Sequence, residues 1–181
     1  MPASNPDGCD KAGLHVQGEQ TCPYPVPVLV IRKDLVDEIV AHARRDHPDE
    51  ACGVIAGPAG SDRPERFIPM VNAARSPTFY EFESGDLLRL YREMDSNDEV
   101  PVVIYHSHTA TEAYPSRTDV SYASEPEAHY VLVSTRDDQP AGEPEFRSYR
   151  IVDGEITEET VEVVETYMFS HTGADDVPDC R

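Results

Sequence analysis

The chain has few basic residues and no long apolar run. Among its 181 residues, 15 are Lys or Arg and 35 are Asp or Glu, so the formal net charge is −20. Such a surface repels polyanions, which argues against a nucleic acid or an acidic membrane surface as partner. A membrane-spanning helix needs about 18 or more consecutive apolar residues, and none occur. The N-terminus lacks the basic start and apolar stretch of a secretory signal. We therefore expect a cytoplasmic protein.

Cysteine is also sparse, and the cysteines are not spaced as metal ligands or as a redox pair. Cys9, Cys22, Cys52 and Cys180 form no CxxC motif, and all but Cys52 lie in segments that look like tails. In a reducing compartment we expect free thiols. Cys52 lies two residues after Glu50 in an apolar segment, so a nucleophilic role is an alternative. A buried free cysteine usually behaves as a small hydrophobic residue, and we favour that interpretation.

The length suits one domain, since domains of about 100–200 residues are the common case. Residues 1–24 are rich in Pro, Gly and polar residues and have almost no apolar periodicity, which predicts a disordered N-terminal extension. We place the domain at residues 25–168 and a flexible C-terminal tail at residues 169–181. The sequence leaves the oligomeric state open, a homodimer included.

Apolar periodicity predicts a mixed α/β domain, with helices flanking a curved mixed sheet of six to eight strands. Helical spacing predicts helices over 33–46 and 84–96 and a short one from residue 116. Ser84 is the predicted N-cap of the second helix. The predicted inward stripe of that helix consists of Leu87, Leu88, Tyr91 and Met94. Short apolar or alternating runs predict strands at 26–31, 50–56, 66–71, 78–82, 100–105 and 129–134, and a terminal hairpin from 145 onward.

Three side chains able to hold a transition metal follow the most apolar run of the chain. Residues 100–105 are mostly β-branched or aromatic and predict a buried strand, so His106 and His108 should point to the same face. Asp119 lies in the first turn of the helix predicted from Ser116, where its carboxylate could fold back toward the imidazoles. Two histidines and one carboxylate, with the fourth position left to water, are typical of a catalytic zinc site. Ser116 and Asp119 also match a capping box, and both interpretations can hold together.

These residues resemble the signature of a known family. The pattern HxH, seven residues, Ser, two residues, Asp is that of the JAMM (MPN+) metallopeptidases, and His106, His108, Ser116 and Asp119 carry it here. The family also has an upstream glutamate in a segment like PxExCGxLxG. Residues 47–57, HPDEACGVIAG, place that glutamate at Glu50. The resemblance implies a cytidine deaminase-like JAMM/MPN domain with one Zn²⁺ per chain.

Thr109 is a departure from the family, whose members commonly have Pro directly after the second histidine. The ligands are untouched, so the departure bears on loop shape and substrate preference. Longer segments, such as IPMVNAARSPTFYEF at residues 68–82, resemble an actinobacterial subgroup that hydrolyses adducts of a sulfur-carrier protein with cysteine. The similarity runs over roughly residues 25–167. It implies as partner a ubiquitin-like sulfur-carrier protein with a C-terminal Gly-Gly, from which the enzyme releases a terminal cysteine.

The catalytic roles follow from this resemblance and from general chemistry. Glu50 would accept the proton of the attacking water and donate it to the leaving amine. The hydroxyl of Ser116 would donate to the oxyanion of the tetrahedral intermediate. His129, His42 and His47 are predicted to be satisfied or edge histidines outside the site.

Three alternatives remain at the level of sequence. The first is a peptidase that trims other residues from the C-terminus of a carrier to expose Gly-Gly. The second is a metal-free MPN scaffold, although such scaffolds lose ligands that this chain keeps. The third is a deubiquitinase-like isopeptidase, which generally needs inserted segments, and the loops here look too short for them.

Overall fold

A seven-stranded mixed sheet carries the fold. It is seen in a computed structural model that describes residues 27–136 and 144–168. The strands are β1 Val28–Arg32, β2 Cys52–Pro58, β3 Arg66–Met70, β4 Glu99–His108, β5 His129–Ser134, β6 Glu145–Val152 and β7 Glu155–Val164. The helices are α1 Lys33–Asp46, α2 Ser84–Ser96 and α3 Arg117–Tyr122. The predicted extension of residues 1–24 and tail of residues 169–181 lie outside the described residues.

The strand order is β1-β7-β6-β5-β4-β2-β3. β4 pairs in parallel with β5, β1 pairs in parallel with β7, and the other neighbours are antiparallel. The predicted mixed α/β architecture, including the terminal hairpin, is confirmed. Within the part of the chain that the structure describes, no helix is long and apolar enough to cross a membrane.

Helices α1 and α2 pack against two separate apolar clusters of the sheet. Successive side chains of a strand point to opposite faces, so β4 sends Val103 and Tyr105 to the cluster under α1 and Ile104 to the cluster under α2. The same alternation places His106 and His108 on the α2 face. The paired histidines therefore lie at the end of a strand that is held on both edges, by β2 and β5.

One prediction about helix α2 was wrong, and another was right for only two of its four residues. Its N-cap is Glu83 instead of Ser84, and the Glu83 carboxylate accepts a hydrogen bond from the backbone of Asp86 at 2.8 Å. Of the predicted inward stripe, Met94 is buried and Leu87 packs against the same apolar cluster, whereas Leu88 and Tyr91 are 52% and 40% exposed. Leu90, which was not predicted, is also buried. Positions 87, 90 and 94 form a second apolar stripe at helical spacing. Periodicity alone could not tell which of the two overlapping stripes faces the sheet.

Two predicted strands also differ from the structure. Residues 78–82 do not form a strand, and an isolated bridge joins Asn72 to Phe82. Their backbone is instead held largely by the side chain of Asn72, which accepts from Glu81 and donates to Phe79. Strand β2 begins at Cys52, so Glu50 precedes the strand instead of starting it.

Candidate metal centre

The end of β4 and the start of α3 bring the three predicted ligands together. The Nε2 atoms of His106 and His108 lie 3.2 Å apart. Oδ1 of Asp119 lies 3.4 Å from Nε2 of His106, and Oδ2 lies 3.4 Å from Nε2 of His108. His106 and His108 are buried, and Asp119 is partly buried. They form a group of potential metal ligands whose atoms lie within 4.8 Å of one another.

A capping box turns Asp119 toward the histidines. The backbone N–H of Ser116 donates to Oδ2 of Asp119 at 2.6 Å, and the backbone N–H of Asp119 donates to Oγ of Ser116 at 3.2 Å. The predicted capping box is therefore confirmed. The Ser116 hydroxyl acts as an acceptor in this motif, so its hydrogen stays free to donate to another group. One carboxylate thus caps α3 and faces both imidazoles.

The geometry of the three ligand atoms fits a zinc ion. Zinc bonds of about 2.0–2.1 Å in a tetrahedral centre separate the ligand atoms by about 3.3–3.4 Å. The Nε2 atoms of His106 and His108 lie 3.2 Å apart, close to this spacing, and each has one carboxylate oxygen of Asp119 at 3.4 Å, Oδ1 for His106 and Oδ2 for His108. Two imidazole nitrogens and one carboxylate are also a donor set that zinc accepts in catalytic sites. The residues present therefore fit the predicted metal.

The charges of the three side chains suit a cation. Burial would raise the pKa of Asp119, but hydrogen bonds with His106 and His108 outweigh burial and hold that pKa well below its usual range. Burial lowers the pKa of His106. Burial would also lower the pKa of His108, but its bonds to Asp119 and to the Glu112 carbonyl raise it. Asp119 therefore stays ionised and attracts a positive charge between the two rings.

Both imidazole rings are oriented by neighbours. Nδ1 of His108 lies 2.8 Å from the carbonyl oxygen of Glu112. A carbonyl can only accept, so Nδ1 carries the proton and Nε2 is left to bind a metal. The ring of His106 stacks on Tyr80, with 4.6 Å between the ring centroids and 26° between the planes. Both Nε2 atoms are thereby directed toward Asp119.

Glu50 lies buried beside this group. Glu50 is 5% exposed. The next residue, Ala51, exchanges two hydrogen bonds with Ser107, which lies between the two histidines. Burial raises the pKa of Glu50 to about 7, while the charge of His108 lowers it and that of Asp119 raises it. A bound divalent cation would favour the carboxylate and lower this pKa. In the metal-free chain, burial therefore favours the neutral carboxyl group of Glu50.

Thr109, the departure from the family pattern, contacts a neighbouring loop. Its hydroxyl donates to the carbonyl oxygen of Pro77 at 2.8 Å. A proline at this position would have no group to donate. The hydroxyl therefore ties the segment that follows His108 to the loop of residues 72–77.

Cys52 and the histidines outside the HxH motif lie outside the site. Cys52 is buried and free, and burial raises the pKa of its thiol to about 12, which disfavours the nucleophilic thiolate. His129 is fully buried and contacts Glu159 and Asp62 at 2.7 and 2.9 Å. His42 contacts the hydroxyl of Tyr105 at 2.7 Å. The prediction that these histidines are satisfied is confirmed.

Sequence analysis did not identify Asn72 or Tyr80 as residues of the site. Asn72 is a buried amide that hydrogen-bonds to the backbone of Glu50 at 3.0 Å, and Tyr80 covers His106. A cavity of about 340 Å³ adjoins the site and is lined by Asp119, Tyr80 and further aromatic side chains, among them Phe79, Phe82 and Tyr122.

Comparison with known proteins places the chain in a family. The family model described as prokaryotic homologues of the JAB domain matches residues 32–152. A CysO-cysteine peptidase of Mycobacterium tuberculosis is 72% identical over 142 residues, which cover 78% of this chain and 95% of that relative. A probable TtuB-protein conjugate cleaving protease of Thermus thermophilus is 33% identical over 113 residues, covering 61% and 74% of the two chains.

A solved structure has a similar fold. The solution structure of a protein from Desulfitobacterium hafniense has a TM-score of 0.65 and 30% sequence identity, and the match covers 77% of this chain and 94% of that one. The family model covers more than half of the chain. The chain therefore belongs to the prokaryotic JAB-domain family, and its resemblance to the JAMM/MPN metallopeptidases is confirmed.

Proposed function

We propose that the protein is a zinc-dependent amide hydrolase that removes the C-terminal cysteine from a ubiquitin-like sulfur-carrier protein ending in Gly-Gly-Cys. The products are free cysteine and the carrier with its Gly-Gly terminus restored. The observation that carries the proposal is the convergence of His106, His108 and Asp119 beside the buried Glu50. This arrangement occurs in a chain that is 72% identical to a CysO-cysteine peptidase.

Zinc held by His106, His108 and Asp119 would supply a Lewis acid that activates water and polarises the substrate carbonyl. Glu50 accepts the proton of the attacking water and then donates it to the amine of the departing cysteine. Burial favours the neutral carboxyl group of Glu50 and a bound divalent cation favours its carboxylate, so these opposing influences suit a group that first accepts and then returns a proton.

Ser116 supplies the donor for the oxyanion. Its oxygen is occupied by the backbone N–H of Asp119, which fixes the hydroxyl beside a metal ligand. The hydroxyl hydrogen then donates to the substrate oxygen as negative charge develops on it. Removing one such donor elsewhere costs about 3–4 kcal/mol of transition-state stabilisation.

A di-glycine tail suits proposed ligands that are buried. His106 is 2% exposed and His108 is 7% exposed, so only a slender segment can bring a carbonyl to them. Glycine has no side chain, and an extended Gly-Gly tail can approach buried groups more closely than other sequences. The substrate is therefore a flexible chain end rather than a folded surface.

A second candidate is cleavage of a carrier from another protein. The Thermus thermophilus relative is a probable protease that cleaves TtuB-protein conjugates, and such a substrate differs in its leaving group. Trimming of longer C-terminal extensions differs in the same way. All three reactions would use the same metal ligands and the same base.

The test compares leaving groups on one carrier. The zinc-loaded protein is incubated with equal amounts of a carrier ending in Gly-Gly-Cys, one ending in Gly-Gly-Ala-Ala, and one joined through its Gly-Gly terminus to a lysine side chain of a second protein. Intact mass spectrometry should show fastest loss of the single cysteine. Faster loss of the dipeptide would support the trimming peptidase, and faster release of the second protein would support conjugate cleavage.

We place the reaction in the cytoplasm, where the free thiol of the released cysteine and that of Cys52 stay reduced. Cell fractionation with an antibody against the protein tests this location. All five proposed site residues come from one chain.

A further inference from the structure

The side-chain amide of Asn72 uses its full hydrogen-bonding capacity beside the candidate metal centre. Its Nδ2 donates to the carbonyl oxygens of Glu50 and Phe79, each at 3.0 Å. Its Oδ1 accepts from the backbone N–H groups of Ala74 at 3.0 Å and Glu81 at 3.2 Å. An amide offers two donor hydrogens and two acceptor sites, and all four are in use. Asn72 is 6% exposed, so water cannot take over these bonds.

These bonds join two segments that reach the site from different sides. One contains Glu50, whose own backbone N–H donates to the carbonyl oxygen of Ser76 at 2.9 Å. The other is residues 79–81, in which Tyr80 stacks on the ring of His106. Asn72 is thus the side chain that connects the backbone of the proposed base with the segment that covers a metal ligand.

We propose that Asn72 is a positioning residue that fixes Glu50 relative to His106 for the hydrolysis. The inference rests on the proposed function and assigns Asn72 no contact with the substrate. A general base must lie within about 2.6–3.2 Å of the atom whose proton it takes, and a misplacement of about 1 Å can cost 100-fold in rate. Both backbone polar groups of Glu50 are held by residues 72–76, so a shift of this loop moves the carboxyl group with it.

Asn72→Asp is the informative substitution. It keeps the side-chain size and the acceptor oxygen but places a second oxygen against the carbonyls of Glu50 and Phe79, which repel it. We expect kcat to fall about 10–100-fold, as for other groups that orient catalytic residues. KM should stay within about twofold, because uniform substrate binding is unaffected. Zinc affinity, measured by competition with a chromophoric chelator, should change less than kcat.

Ser148→Ala is the matched control. Ser148 is also fully buried and donates to Glu159 at 2.7 Å, but it pairs with Val131, which packs in the α1 cluster on the other face of the sheet. The Ser148→Ala substitution should lower the melting temperature without lowering kcat. Asn72→Gln provides a second variant, which keeps a neutral amide but displaces it by one methylene, and it should lose kcat as well.

Amide hydrogen exchange gives a measurement independent of turnover. The amide of Glu50 should exchange at least about tenfold faster in Asn72→Asp than in wild type, because the carbonyl of Glu50 loses its bond to Asn72 and local opening becomes easier. In Ser148→Ala this amide should exchange at the wild-type rate after correction for global stability.

The outcomes separate this inference from the proposed function. Wild-type protein that leaves the Gly-Gly-Cys carrier intact would overturn the proposed function and the role of Asn72 with it. An active wild type whose Asn72→Asp and Asn72→Gln variants keep kcat within about twofold would overturn only the role of Asn72. An equal loss of kcat in Ser148→Ala would show that Asn72 acts through general stability and has no specific positioning role.

Discussion

Replacing Glu50 by Gln tests the environment of the proposed base without any substrate. In the folded, metal-free chain, burial raises the pKa of Glu50 from an ordinary 4.5 to about 7. Folding therefore favours the neutral carboxyl group over the carboxylate. The stability that this group contributes is fully present below pH 4.5 and is lost as the pH rises through about 7. Gln cannot ionise, so its contribution does not change with pH.

The size of the effect follows from the difference between the two pKa values. A shift from 4.5 to about 7 corresponds to about 3 kcal/mol between the neutral and charged forms. At pH 5, which lies above the ordinary pKa of 4.5, part of this stabilisation has already been lost. Between about pH 5 and pH 8, the metal-free Glu50→Gln protein should therefore gain about 2–3 kcal/mol in unfolding free energy relative to wild type.

Urea denaturation of the two metal-free proteins at these two pH values measures the gain. Glu38→Gln, on the exposed face of α1, is the control and should show no comparable change. Saturating zinc should shrink the difference, because a divalent cation stabilises the carboxylate. A stability difference between Glu50→Gln and wild type that is independent of pH would refute the reasoning, since it would place Glu50 in water. The same variant should bind zinc and lose turnover by about 100-fold or more.

Three further predictions concern the remaining residues. His106→Ala and Asp119→Ala should each lose both zinc, measured as metal per chain, and activity, and retention of stoichiometric zinc by either would contradict the ligand set. Ser116→Ala should lower kcat about 100-fold or more and cost about 1 kcal/mol through loss of the helix cap. Ser116→Gly should cost only a few tenths of a kcal/mol but lose kcat equally, and an active Gly variant would exclude Ser116 as the oxyanion donor. Cys52 is 0% exposed and its pKa is raised to about 12, so it should resist iodoacetamide in the folded protein at neutral pH. Rapid labelling, detected by mass, would contradict its burial.

Much of the metal centre could be predicted because its signals are local. The run before His106 is apolar and β-branched, and alternation along a strand then places His106 and His108 on one face. The capping box fixes Asp119 relative to Ser116 within a single helical turn. The contact of the two histidines with Asp119 across a loop is a tertiary contact. The spacing of the family motif predicts this contact better than local patterns do.

The remaining features depend on contacts between distant segments. Which apolar stripe of α2 faces the sheet depends on its neighbours, so Leu88 and Tyr91 were placed inside although they are largely exposed. The role of Asn72 depends on carbonyl groups 22 and 7 residues away, which no local pattern reveals. The aromatic residues after it suggested a strand, but side-chain hydrogen bonds replace the strand ladder there.

The central claim is that this chain hydrolyses the Gly-Cys amide at the end of a carrier with a metal held by His106, His108 and Asp119. Intact mass spectrometry of the carrier ending in Gly-Gly-Cys, incubated in ¹⁸O-labelled water with the zinc-loaded protein, tests it most directly. We expect loss of one cysteine residue and incorporation of one labelled oxygen into the new glycine carboxylate. Both changes should stop when a chelator removes the metal. An unchanged carrier despite full zinc occupancy, or cysteine release that continues with the metal removed, would contradict the account.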